Sequence, residues 1–482
     1  MSFRTWFAAL QVARTFDRLQ RDWRRTPRRR RASYSCAPAE VLEVRSLLSS
    51  YTAASVSALV TDINAANKGG GTNTITLAAN ATFDLTAVNN TTNGANGLPV
   101  ISIKNGNLTI IGNGDTIERS AAAGMPAFRL FDVAKGSSMT LENVTLQNGL
   151  AQGSGAAADG GAVYNQGTLT LSGVTVQNNV AKGADGATYV GGNKGSILAA
   201  AADAAGGGIW SNGVLTLQDL TLPSGSLIHT LLQSNTALGG TGGAFYSANY
   251  TMTPASGGNA LGGGIYVAGG TASLANANVA NNIAYGGTGG SGITPTNFFY
   301  GGTGGTAAGG AVDIAAGTVA MTGLVVESNQ AQGGHGGSGD VLYVAGKLVA
   351  RGGTGFGGGI NVAGGTVTLA TVDLLSNTAV GGQGGAGGAD LGDGPGGNAY
   401  GGGLFVGGGE VTLTNDTAML NQALGGFSSG GPFSTGQPGT GYAGGIYIAS
   451  AATVYLDSFT LANTKNNSGN YGDIVGPYIL RN

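Results

Sequence analysis

The sequence predicts an all-β protein: a right-handed, single-stranded parallel β-helix with Gly-rich loops on one side and an N-terminal capping helix. Three observations predict it. A block such as "GGAVYNQGTLTLSGVTVQNNVA" (160–181) keeps returning, its first aliphatic residue falling at Val163, Ile209, Ile265, Val312, Ile360, Leu404 and Ile446, in steps of 46, 56, 47, 48, 44 and 42 residues. A period of this size marks a solenoid, a propeller or an array. Within each block, apolar and polar residues alternate in short runs separated by glycine or asparagine, which is the pattern of short strands with tight corners. The 93 glycines come with 41% hydrophobic and only 10% charged residues, the reverse of the balance in a disordered chain.

Residues 1–50 form a basic tail, with 11 arginines against Asp17, Asp22, Glu40 and Glu43, while the whole chain carries a formal charge of −2. The weakly acidic body offers no cationic stripe for phosphates, so no nucleic-acid partner is expected. "TWFAALQVA" (5–13) is short for a signal peptide and runs into Arg14 instead of a small-residue cleavage site. Read as a helix, the segment places Arg14, Arg18, Arg21 and Arg25 on one stripe, a pattern that suits an anionic membrane surface. The plainer reading is an export or processing segment. Cys36 is the only cysteine, so neither an intrachain disulfide nor a Cys-based metal site is possible. No apolar run reaches the roughly 18 residues of a transmembrane helix, and none is expected.

In 51–70, Val56, Leu59, Val60 and Ile63 recur at helical spacing, as a capping helix over the open end of a solenoid would require. Residues 71–470 are read as the β-helix, with "TITLAANATFDL" (74–85) and "LTIIGNGDTIERS" (108–120) as its first, less regular turns, and 471–482 as a C-terminal tail. About ten turns at ~4.8 Å each make a rod of roughly 50 Å.

Each regular unit has three parts. The strands are clearest in "GGGINVAGGTVTLATVDLLSN" (357–377), where Ile360 and Val362 flank Asn361, Val367 and Leu369 flank Thr368, and Val372 and Leu374 follow. Only Asn212-Gly213 offers a two-residue hairpin signal, which argues against antiparallel blades. Next, Asn179, Asn235, Asn282, Asn329, Asn377 and Asn421 each stand two residues before an alanine. Asparagine tolerates left-handed backbone, and identical amides stacked turn on turn bond one another as a ladder. A row of ligand-binding amides is the alternative. Last comes a loop headed "ALGGTGG" (237–243), "AYGGTGG" (284–290), "AQGGHGG" (331–337) or "AVGGQGG" (379–385). Its fixed phase sends every loop out at one corner. These loops hold the rare large side chains Phe298, Phe299, Tyr300, Tyr343, Phe427 and Phe433, whose plainer role is to pack the loops onto the coils; the alternative is a ligand face of Phe298, Phe299, Tyr300 and Tyr343.

Two stretches resemble known families. "EVLEVRSLL" (40–48) resembles the Leu-Glu-Pro-Arg-x-Leu-Leu motif near the N-terminus of large repetitive bacterial surface proteins: Leu42, Glu43, Arg45, Leu47 and Leu48 match, and Val44 replaces the proline. The repeat blocks resemble those of polymorphic outer-membrane proteins and related autotransporter adhesins. Gly160 to Val163 match the Gly-Gly-Ala-Ile element, while Val176 stands where the aromatic-x-x-Asn element has its ring, before Gln177, Asn178 and Asn179. The resemblance implies a pectate-lyase-like β-helix, export to the extracellular space or outer-membrane surface, and adhesion, with surface polysaccharide or envelope proteins as partners. A monomer is expected.

Parallel β-helices also host polysaccharide lyases and hydrolases. Glycoside hydrolysis needs two carboxylates roughly 5–9.5 Å apart. The acids of the repeats, Asp219, Asp313, Glu327, Asp373, Glu410, Asp416 and Asp457, fall mostly at different phases, and Arg351, Lys182, Lys194 and Lys347 are the only cations from 152 to 464. His229 and His335 lie in different repeats, so no His-based metal site is expected. "GGADLGDGPGG" (387–397) breaks the spacing of calcium-binding nonapeptides; Asp390 and Asp393 offer at most a weak calcium site, and no cofactor is expected. An ice-binding rod needs a regular threonine array, and Thr168, Thr170, Thr216, Thr366, Thr368 and Thr412 are too interrupted. The expected function is a non-catalytic, exported surface protein, adhesive or structural; the alternative is a polysaccharide-active enzyme with degenerate motifs.

Overall fold

The computed structural model describes residues 49–153, 156–190, 200–246, 254–293, 301–339, 350–387, 393–429 and 436–481. Residues 1–48 of the basic tail, with its Leu-Glu-x-Arg-x-Leu-Leu motif, lie outside these. The described residues form a parallel β-helix in which each block completes one turn. The seven aliphatic residues that marked the repeat stack in register: Val163 on Ile209, then Ile265, Val312, Ile360, Leu404 and Ile446. The row runs on to Phe131 at one end and Ile474 at the other.

One turn passes through five short strands, more than the three expected. In the first regular turn these are Ala158–Asp159, Val163–Asn165, Thr168–Ser172, Thr175–Gln177 and Val180–Lys182. Each strand pairs in parallel with its counterparts above and below, so the chain builds five columns. Near the N-terminal end the third and fourth columns run together in the single long strands Leu108–Arg119 and Ser138–Gln147, the first of which lies on the separate strands Asn73–Leu77 and Thr82–Leu85. Asn212-Gly213 is a corner and not a hairpin, because the strands beside it pair with neighbouring turns. The antiparallel pair Leu220–Thr221 with Leu227–Ile228 is instead an insertion between the third and fourth columns, and it accounts for the long 56-residue step.

The cross-section narrows in three stages. Its widest part is an aliphatic core in which Leu141, Leu171, Leu217, Leu274, Met321, Leu369, Leu413 and Leu456 stack in one buried row. Each such side chain contributes about 1.5–3 kcal/mol of burial. The first and fifth columns then close on each other through alanine, with Ala158, Ala204, Ala260 and Ala307 in one cluster with Ala181, Ala237, Ala284 and Ala331. Past the alanines only glycine fits.

The two ends are built differently. At the N-terminus, the strand Ser49–Ala53 pairs with Asn73–Leu77, so the capping helix starts only at Val56 and runs to Gly69. Ser55 caps it by accepting from the Ala58 N–H, and Leu59, Ile63 and Ala66 are buried against the core. At the other end the expected tail is not a tail: Ile474–Val475 and Ile479–Arg481 are strands laid on the last turn. Among the described residues, no helix is long and apolar enough to cross a membrane.

Candidate functional site

The six asparagines expected to stack do form a ladder. Nδ2 of Asn179 donates to Oδ1 of Asn235 at 3.0 Å, and the same bond links Asn235 to Asn282, Asn282 to Asn329, Asn329 to Asn377 and Asn377 to Asn421, each at 3.0 Å. From Asn235 on, each Oδ1 also accepts the backbone N–H of the preceding asparagine, while that of Asn179 accepts the Gly149 N–H, and each Nδ2 also donates to a carbonyl of the preceding turn, as Asn282 does to Leu232. The amides are buried and bonded on both sides, which leaves none to receive a ligand. The ladder runs one step further than expected, to Asn467, whose Nδ2 donates to the Asp473 carboxylate at 2.9 Å. Every amide dipole points the same way, and a carboxylate closes the positive end. Left-handed backbone falls on the residue before each ladder asparagine, including Ser234 (φ 55) and Leu420 (φ 59).

The glycine loops are two extended arms, one leaving the turn and one returning, and successive arms interleave into a slab. Gly287 donates its N–H to the Gly258 carbonyl, Gly305 to Gly287, Gly334 to Gly305, Gly353 to Gly334, Gly382 to Gly353 and Gly397 to Gly382, so the bonds pass alternately between leaving and returning arms. A second set joins leaving arms of consecutive turns, from Gly289 to the His335 carbonyl and from Gly336 to that of Gln383. Bonding in several directions on a three-residue repeat suits the three residues per turn of a polyproline II helix. A Cβ on Gly305 would run into the Gly258 carbonyl, which is why two residues of every three are glycine. The third residue faces out, as Thr241, Thr288, His335 and Gln383 do. Phe298, Phe299, Tyr300, Tyr343 and Phe433 belong to the connections between arms and lie outside the described residues. Phe427 is on the last leaving arm, 78% exposed.

A third feature was missed in the sequence. The first and second columns meet at a left-handed glycine corner such as Gly160, and their outward residues line a crease along the rod. One row is Asp132, Tyr164, Trp210, Tyr266, Asp313, Asn361, Phe405 and Tyr447. The facing row includes Asp159, Leu261, Phe356, Tyr400 and Tyr442. Phe356, Tyr400, Tyr442 and Tyr471 stack at 5.5, 4.7 and 5.0 Å, and Tyr164 stacks on Trp210 at 4.3 Å. Stacked along the axis, the rings spend their faces on one another and turn edges outward.

At the N-terminal end of the crease the buried Arg129 donates to the Asn93 and Asp159 carbonyls and lies 5.0 Å from the Tyr164 ring centre. Burial lowers the pKa of its guanidinium, against the pull of Asp132 and Asp159. Burial raises Asp132, partly offset by the Asn93 amide and Arg129, and leaves its Oδ1 without a hydrogen-bond partner. Burial likewise raises Asp159, with Arg129 opposing and Asp203 adding. Burial, then the carboxyls of Asp313, Asp159 and Asp203, push the Tyr266 hydroxyl up to about 12. This cluster draws on separate turns, two of them before the regular repeat, so no spacing in the sequence announces it.

The remaining acids are scattered as expected. Asp219 meets His229 at 3.0 Å on the inserted hairpin. Asp313 is buried, accepts from Asn361 Nδ2 at 2.6 Å and is raised to about 7 by burial. Asp416, raised to about 7 mainly by burial, accepts from the N–H groups of Val372 and Thr414. Asp393 is buried and accepts from the Gly387 N–H, while Asp390 lies outside the described residues. Among the described residues no three His, Cys, Asp or Glu side chains gather as a metal site. The outward threonine row runs through Thr140, Thr170 and Thr216 and then breaks at Ser273 and Ala320. A cavity of about 620 Å³ lies beside the slab near the last turns, lined in part by Gln332, His335, Val380, Gln383, Leu424 and Phe427. Compared with known protein families, curated proteins and solved structures, the chain matches none. The architecture is that of a parallel β-helix with a glycine slab along one side.

Proposed function

We propose that the chain is a non-catalytic, exported protein of the cell surface or extracellular space, adhesive or structural, that presents loop tips from a rigid slab. The observation that carries this reading is the slab. Ordering glycine costs more backbone entropy than ordering any other residue, and here it buries no side chain in return. In the sequence, Phe298, Phe299, Tyr300 and Tyr343 fall in the connections between leaving and returning arms, the segments proposed to meet a ligand. The repeat's likeness to polymorphic outer-membrane proteins, and the motif at Leu42 to Leu48, support export and a surface partner such as polysaccharide or an envelope protein. Mass spectrometry of the mature N-terminus in fractionated cells tests export: a processed chain outside the cytoplasm is expected, and an intact cytoplasmic chain rejects it.

A polysaccharide-active enzyme is the second reading, favoured by the Arg129, Asp132, Asp159 and Tyr164 cluster. Burial places its two carboxyls above their usual range, as a general acid needs. The full chain is expected to leave pectin, alginate and chondroitin intact. Cleavage that disappears in Asp159→Asn would establish the enzyme instead.

A further inference from the structure

We infer that Tyr442 and its stacked neighbour Tyr400 form an oxidative cross-linking site, at which a bond between two tyrosine rings joins successive turns of the rod. The two residues are register partners on the parallel strands Ala399–Tyr400 and Gly441–Tyr442, so their side chains leave the backbone side by side. Their ring centres are 4.7 Å apart, their planes are 3° from parallel, and both side chains are partly exposed on the crease. Tyr471 follows Tyr442 at 5.0 Å and 9°. Packing alone does not call for the hydroxyls. Phe356 stacks on Tyr400 from the preceding turn at 5.5 Å without one, and Phe405 does the same for Tyr447 at 5.6 Å. The Tyr400 hydroxyl oxygen accepts from Asn398 Nδ2 at 3.0 Å, a bond that steadies the oxygen as its proton departs.

The oxidant is hydrogen peroxide, used by a haem peroxidase that removes one electron at a time. Each phenol gives up one electron and its hydroxyl proton. The two phenoxyl radicals pair by forming one carbon–carbon bond between ring carbons ortho to the oxygens. Each of those carbons then releases its hydrogen as a proton while its oxygen takes one up, which restores both phenols. The pair has lost two hydrogens in all, and the peroxide leaves as two waters. Stacking makes the coupling intramolecular, and rings at 4.7 Å need only tip toward each other to reach a reacting separation of about 3–3.5 Å. Tyr447 is the nearby competitor. It meets Tyr400 at 70° and not face to face, and burial, then Tyr400 and Tyr442, raises its hydroxyl pKa, which disfavours loss of the proton. The inference goes beyond the surface role proposed above and does not depend on what the loop tips bind.

Treating the full chain with hydrogen peroxide and a haem peroxidase, then mapping its digest by mass spectrometry, tests it. The expected product is a single chain lighter by two hydrogens, with dityrosine fluorescence and a yield that does not change on dilution. Its cross-linked peptides should contain Tyr442, joined to Tyr400 in preference to Tyr471. Tyr442→Phe should abolish the link and Tyr447→Phe should leave it in place; both variants put phenylalanine where another turn of the same row already carries it. The link closes a loop in the unfolded chain, so oxidation should raise the thermal midpoint of the native chain and not that of Tyr442→Phe. No dityrosine, links only between molecules or only among other tyrosines, or fluorescence undiminished in Tyr442→Phe overturns the inference. So does a link that Tyr447→Phe removes. The mapping on the native chain decides the matter even if a variant misfolds.

Discussion

The coil and the slab belong to the same turns and share one axial repeat, yet they are held by opposite means. In the coil, identical aliphatic side chains stack and exclude water, and the backbone bonds are those of parallel sheets. In the slab there are no side chains to bury, and backbone carbonyls and N–H groups of neighbouring arms meet each other directly. Alanine lies between the two, at the point where the first and fifth columns converge. The contrast teaches that side-chain volume, falling from leucine to alanine to glycine across a turn, sets how closely the chain can fold back on itself. The asparagine ladder lies on the coil side of the boundary, buried at the corner that leads into the arms.

Cutting into the core should cost most. Leu369→Ala leaves a void between Met321 and Leu413 in the stacked row. It is expected to lose about 3–5 kcal/mol in denaturant unfolding. Asn282→Ala comes next, because it removes the acceptor for Asn235 and the donor to the Leu232 carbonyl while leaving those partners buried. A loss of roughly 2–4 kcal/mol is expected. Gly305→Ala drives a methyl into the Gly258 carbonyl. The expected loss is about 1–3 kcal/mol, with faster hydrogen exchange confined to neighbouring arms and the coil amides unchanged. If exchange rises equally in coil and slab, the two are one cooperative unit and the contrast fails.

The smallest expected effect is a gain. Asp313 holds its proton up to about pH 7 when folded, against an ordinary aspartate value of 3.8. A raised carboxyl pKa means the folded state binds the proton more tightly than the unfolded chain does, so stability falls as pH rises from about 4 to 7. Asp313→Asn keeps the acceptor for Asn361 and removes the charge. The variant should gain on the order of 1–2 kcal/mol above pH 7 and nothing near pH 3, as thermal melts at the two pH values would read.

Much of this was legible in the sequence. The steps between Val163 and Ile446 set the register, and the asparagines two residues before an alanine located the ladder, because stacking demands the same residue at the same phase in every turn. The slab also left a mark that went unread: Gly-Gly-x-Gly-Gly recurs on both leaving and returning arms, and a three-residue repeat is the signature of an extended three-fold helix. The continuation of the ladder to Asn467 and Asp473 was hidden because the last turn drops the alanine two residues on. The crease was not legible, since Arg129, Asp132, Asp159 and Tyr266 are distant in sequence and become neighbours only when turns stack.

The sequence by itself determined that this protein coils in parallel turns, which residues point inward, and where each amide stands, since all of these follow from local alternation and a repeated phase. Only the tertiary structure decided which groups lose water: the carboxyls of Asp132 and Asp313 are shifted by burial among side chains from other turns. Burial depends on what the neighbouring turns place around a residue, and a repeat pattern carries that information only where every turn is alike.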